Sequence, residues 1–270
     1  SPRLMAPKPP IINIPTTPTS AMNRAGTGLK NSDLDHRMEY FDPKTRPQAI
    51  FLDDAALLSA PPELIRSTAT TVFAGLIGAL SQLGTNPLSD GDQRHAFHLA
   101  HNAYVRLMDE LDNPATRIEL AVAAFLQNRA EDDGAPRFRG GSFLGNYAVS
   151  TALHIIYPHV GQGEATSVVH APAMRLAETV DLAAARRVAE ALGVWRDDMD
   201  GKEAALAVAD ALEVVYSRAG MPIQLRQLDI PRDGLAAIAG ETVKNFNANA
   251  GARSAEAQIA GALHLLEAAW

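Results

Sequence analysis

The stretch that decides the fold runs from Ser142 to Arg175, SFLGNYAVSTALHIIYPHVGQGEATSVVHAPAMR. Its apolar residues recur at helical spacing on either side of the break Tyr157-Pro158-His159-Val160-Gly161, so it predicts one helix over 142–158 and a second over 162–179. Ala148 and Ala152 stand i, i+4 on the first helix and share one face, and Gln162 opens the second. An earlier run, Ala69-Thr70-Thr71-Val72-Phe73-Ala74-Gly75, sets Thr71 and Gly75 at the same i, i+4 spacing.

The pattern continues in both directions. Helices are predicted over 62–83, 89–112 with Ser89 as N-cap, 115–130, 182–193, 202–219, 232–245 and 253–269, the last with Ser254 as a candidate cap. Ala-rich helices joined by short Gly, Pro and Asp turns describe an α-helical bundle. Residues 1–60 read differently, as loops with Pro clusters and short strands at 11–14, 36–41 and 49–53. The fold class expected is therefore mainly α, a helical domain over 61–270 preceded by a β-rich segment over 1–60.

Composition narrows the function classes. The chain has 270 residues, no cysteine and a formal net charge of −7. Disulfides, thiolate metal sites and a cysteine nucleophile are excluded, and a reducing compartment is consistent. Basic residues are scattered singly, which argues against nucleic acid or an anionic membrane as partner. The longest apolar run, near Thr70 to Leu83, is broken by Gly, Ser and Gln and falls short of the roughly 20 residues of a membrane helix. No charged-then-apolar leader opens the chain, so a cytoplasmic location is the expectation.

Five motifs in order carry a family resemblance: Ile14-Pro15-Thr16-Thr17; Ile50-Phe51-Leu52-Asp53 followed by Ala60-Pro61-Pro62; Asn86-Pro87-Leu88-Ser89-Asp90; Gly163-Glu164-Ala165-Thr166-Ser167-Val168-Val169; and Val243-Lys244-Asn245-Phe246-Asn247-Ala248-Asn249 with the tail ending at Trp270. In these the chain resembles the iron-containing alcohol dehydrogenase superfamily, and within it the maleylacetate reductase-like branch with its dehydroquinate synthase-like fold. The resemblance implies an oxidoreductase whose metal is held by Asp and His on one helix and by two His around a proline-histidine step, with a further catalytic His. At the matching positions this chain has Thr71 and Gly75, Ala148 and Gln162, and Ala152 in place of the catalytic His. Thr and Gln do not hold divalent iron or zinc, so no metal is expected there.

The same resemblance places Thr16 and Thr17 against a nicotinamide nucleotide, yet no Gly-rich phosphate turn follows a strand; Gly26-Thr27-Gly28 has two glycines and no helix pattern behind it. NAD(P) binding is therefore expected only if a nucleotide-binding half is supplied. The N-terminal part of that fold is read as missing, with Ser1-Pro2 a processed or tagged start and Met5 a candidate initiator. Strands left without their sheet are expected to pair in a homo-oligomer or to cover another protein chain.

The altered cleft is drawn from Thr71, Gly75, Asn146, Tyr147, Ala148, Ser150, Ala152, His154, Gln162 and Glu164, and it reads either as a repurposed pocket for a small molecule or peptide or as a decayed cleft with no ligand. Exchange of imidazoles for Ala and Gly is expected to enlarge it. His154 stands about 200° round from Ala152 and is read as packed or solvent-facing. His95, His98 and His101 form H-x2-H-x2-H, but successive i, i+3 steps drift by about 60°, so they share no single face well. The basic loop Pro136-Arg137-Phe138-Arg139-Gly140-Gly141 could bind a carboxylate or serve as a solvated connection, and Asn245, Asn247 and Asn249 could reach a ligand or form a turn. Three functions follow: an oxidoreductase component acting with its missing half or a partner chain; a non-catalytic scaffold or activating subunit in a specialised, peptide natural-product type of pathway; or a metal-free lyase or isomerase using the emptied cleft.

Overall fold

The computed structural model describes residues 7–19, 21–30, 33, 37–135, 143, 147–244 and 254–270. Among the described residues four short strands come first: β1 (Ile12–Asn13), β2 (Gly26–Lys30), β3 (Arg37–Phe41) and β4 (Ala49–Ile50). β1 pairs with β4 in parallel, Ile12 against Ala49 and Asn13 against Ile50, whereas β2 and β3 form an antiparallel pair with Gly26 opposite Phe41.

Ten α-helices follow among the described residues: α1 (Asp54–Leu58), α2 (Pro62–Leu80), α3 (Pro87–Arg106), α4 (Pro114–Asp132), α5 (Tyr147–Ile156), α6 (Gln162–Arg175), α7 (Leu182–Ala191), α8 (Gly201–Arg218), α9 (Leu235–Glu241) and α10 (Ala255–Ala269). Their starts are written in the sequence. Asp53, Asn86, Asn113, Asp181, Asp200 and Ser254 each accept a hydrogen bond from a first-turn N–H, and Pro62, Pro87 and Pro114 occupy early positions where the missing donor costs nothing. Ser89 is not the cap of α3. Asn86 holds that place, while the Ser89 hydroxyl lies within reach of the Ala130 and Asp133 carbonyls. Gly193 ends α7 at φ +73°, a conformation that side chains disfavour, and lets Val194 N–H bond back to the Ala189 carbonyl at 2.8 Å.

α2 is the central helix, buried on nearly every side from Ile65 to Leu80. Its Phe73 stacks on Tyr104 of α3 at 4.9 Å between centroids and meets Tyr216 of α8 edge-on at 6.0 Å. This larger core takes residues from α2, α3, α4, α7 and α8. A smaller core joins α5, α9 and α10 with Leu225 and Ile230. α6 serves both, giving Ala165, Val168 and Val169 to the small core and Ala171 and Met174 to the large one.

The N-terminal segment is strapped to the outside of α4. Met22 is 1% exposed within the large core, Arg24 donates to Asn128 at 2.6 Å and Glu131 at 2.8 Å, and Arg46 pairs with Asp132. Ile12, Tyr40 and Phe41 on the strands, and Ile14 and Phe51 just beyond them, remain exposed. No helix among the described residues is long and apolar enough to cross a membrane.

Candidate functional site

Ser67, Thr71 and Gly75 follow one another at i, i+4, i+8 and so form a single face of α2. At its N-terminal end this face presses on the first turn of α6. Ser67 Oγ donates to Glu164 Oε2 at 2.6 Å and accepts from the Gly163 N–H at 3.0 Å. The approach is so close that a Cβ at Gly163 would run into the Ser67 backbone. At its C-terminal end the face meets α4, where the Gln127 amide lies over Gly75; a Cβ there would stand 2.7 Å from Gln127 Nε2.

α5 also packs against α6, so Thr71 and Gly75, Ala148 and Ala152, and Gln162 stand on three helices that meet at α6. Ala152 is buried in the small core, Ala148 and Glu164 are half-buried, and Tyr147 and Gln162 are exposed. Ser150 and His154 are tied to their own helix: the Ser150 hydroxyl donates to the Tyr147 carbonyl, and His154 Nδ1–H to that of Ser150. Asn146, the loop from Pro136 to Gly141 and Asn245, Asn247 and Asn249 lie outside the described residues. Thr16 and Thr17 form a bend after β1, Thr16 exposed and Thr17 half-buried.

The donor set does not fit iron. Thr71 Oγ1 is committed to the Thr68 carbonyl at 2.7 Å, Ala148 and Ala152 present methyl groups, and Gly75 presents no side chain. Its room is not empty, because the Gln127 amide occupies it. Iron and zinc are held by imidazole, carboxylate or thiolate, and these positions supply none. Among the described residues no three His, Asp or Glu stand grouped for a metal. His98 contacts Asn102, while His101 turns inward and stacks on Phe97 at 5.6 Å, where burial, with the nearby His98 adding to it, lowers its pKa. Gly26 and Gly28 are built into the β2–β3 ladder, so they form no phosphate turn.

Three further groups stand out in the structure. Gln127 Oε1 and Thr151 Oγ1 are buried and, among the described residues, have no hydrogen-bonding partner. His170 is wholly buried: its Nε2–H donates to the Phe143 carbonyl at 2.9 Å and its Nδ1 accepts from the Tyr216 hydroxyl at 2.6 Å. Burial pushes this imidazole down to about 4, the Phe143 hydrogen bond opposing.

A two-core helical domain behind a pair of parallel strands, with α2, α5 and α6 converging, is the architecture these elements define. The chain belongs to the Fe-containing alcohol dehydrogenase family, whose C-terminal model matches residues 67–270. Among solved structures it is similar to an alcohol dehydrogenase from Oenococcus oeni, at 18% identity and a TM-score of 0.81, covering 98% of this chain and 67% of that one. It is likewise similar to the archaeal halo-thermophilic Red Sea brine pool alcohol dehydrogenase ADH/D1 bound to NZQ, at 18% identity and 0.77, covering 97% and 64%. Maleylacetate reductase from Rhizobium sp. strain MTP-10005 matches at 18% and 0.71, covering 97% and 67%. The chain thus spans less than two thirds of the archaeal enzyme's length. No curated protein sequence matches it.

Proposed function

We propose that this chain is an oxidoreductase-type member of its family that works without iron and acts together with nucleotide-binding structure packed beside β1 and β4. The observation that carries this reading is the donor set: on α2, α5 and α6 the positions matched to metal and catalytic groups are Thr71, Gly75, Ala148, Ala152 and Gln162, with the Gln127 amide lying in the room over Gly75. Hydride transfer does not require a metal where hydroxyl or amide donors polarise the carbonyl. The related structures are alcohol dehydrogenases and reductases, among them a sulfoacetaldehyde reductase from Bifidobacterium kashiwanohense in complex with NAD+. Thr16 and Thr17 in the bend after β1 are the candidate nucleotide contacts, and an α/β unit seated on the open strands would bring the cofactor to them.

The exposed Ile12, Ile14 and Phe51 favour a second reading, an assembly subunit without catalysis of its own. Calorimetry with NAD(H) and NADP(H), run beside light scattering and elemental analysis, separates the two. Nucleotide binding by metal-free protein or its complex supports the first reading; co-purification of a partner with no nucleotide binding supports the second. Near-stoichiometric iron or zinc at the α2–α5–α6 junction would refute the metal-free assignment.

A further inference from the structure

Two of the three positions on the α2 face are spoken for, Ser67 by Glu164 and Gly163 and Thr71 by the Thr68 carbonyl. The third, Gly75, is where Gln127 of α4 lays its side-chain amide on bare backbone. An added Cβ would stand 2.7 Å from Nε2 and 3.4 Å from Oε1, so any larger residue at 75 displaces the amide. Glycine at 75 and glutamine at 127 are therefore one arrangement. Its cost is visible: among the described residues Gln127 Oε1 is buried and has no hydrogen-bonding partner. A buried polar atom left unpaired in this way destabilises the fold, and a bound group that pairs it removes that penalty.

We propose that the Gln127 amide is a recognition group at the crossing of α2 and α4 and that its ligand is a neutral carboxamide, as a primary amide or as a peptide group. Oε1 needs an N–H donor and Nε2 needs a carbonyl acceptor, and a carboxamide presents both in one plane. A carboxylate has acceptors alone and sets one of them against Oε1. The inference rests on the metal-free reading of the same helix junction, because a metal held there would take the place of the ligand.

The test follows the side-chain amide signal of Gln127 by nuclear magnetic resonance in the full chain labelled with nitrogen-15 glutamine. Acetamide, N-methylacetamide and acetate serve as probes, and iron and zinc content is measured on the same sample. Saturable movement of the Gln127 signal with acetamide or N-methylacetamide, and none with acetate, is expected; which amide acts identifies the primary amide or the peptide group. Gly75→Ala, which keeps Gln127 but pushes its amide aside, should weaken binding on the order of tenfold, the loss of about one hydrogen-bonded pair. Gln127→Leu should abolish binding, followed in that variant by calorimetry. A metal-free sample in which neither amide moves the signal, or acetate moves it equally, overturns this proposal alone, whereas metal bound at the site overturns the metal-free reading beneath it.

Discussion

Ser67 and Glu164 are joined by a 2.6 Å hydrogen bond that ties α2 to the first turn of α6. The same hydroxyl accepts from the buried N–H of Gly163, so one small side chain serves two groups on the neighbouring helix. Ser67→Ala strands that N–H and is expected to lower stability by about 1–3 kcal/mol. A urea denaturation midpoint equal to that of the wild type would show the bond to be dispensable.

Gly163 tests the closeness of that crossing. Its missing Cβ faces the Ser67 backbone, which cannot swing away as a side chain would, so Gly163→Ala should cost about 1–3 kcal/mol by overpacking. Gly261 in α10 is the control, because nothing lies within 4 Å of an added Cβ. Gly261→Ala should stabilise by about 0.5–1 kcal/mol through chain entropy. Equal shifts of thermal midpoint in the two variants would contradict the packing assigned to Gly163.

His170 makes stability depend on pH. Its folded pKa is depressed from 6.5 to about 4, so between those values the unfolded chain binds the extra proton. The stabilisation is present above pH 6.5 and drains away as pH falls toward 4, by about 3 kcal/mol from this group alone. Urea titrations across that range should show the loss, and His170→Gln should flatten it. An unchanged acid limb in the variant would assign the loss to other groups.

Arg117 is 1% exposed, and its guanidinium donates to the carbonyls of Leu57, Ala60 and Leu111. It knits α1 and the turn before α4 to α4 itself. Arg117→Ala leaves those acceptors unpaired and should cost about 3 kcal/mol or more. Lysine should recover little, since a single ammonium cannot reproduce the planar fork. Full recovery in Arg117→Lys, read from denaturation midpoints, would refute that geometry.

The helices were legible because periodicity and punctuation agreed: α2, α6, α7 and α8 begin within one residue of their expected starts. Ser89 misled because Pro87 sits in the first turn, and the cap must precede it, which Asn86 does. β2 was missed because Gly26-Thr27-Gly28 shows no apolar alternation, and its ladder with β3 arises from pairing rather than propensity. Gln127 could not be found from its own neighbours, since its meaning comes from another helix. The available signal was Gly75 itself, a glycine inside an apolar helix, which often marks close approach by another group.

The strap formed by residues 21–30 and 37–46 reaches α4 through partners far along the chain, Asn23 and Arg24 meeting Phe125, Asn128 and Glu131. Its docking site does not exist until α4 has folded and packed. Time therefore orders the molecule from the inside outward: local helices close first, and the strap, which must close a loop of about a hundred residues, is predicted to settle last. In pulse-labelled hydrogen exchange during refolding, the β2–β3 amides should gain protection after those of α2 and α4, and simultaneous protection would mean that the strap helps to build the helices it holds.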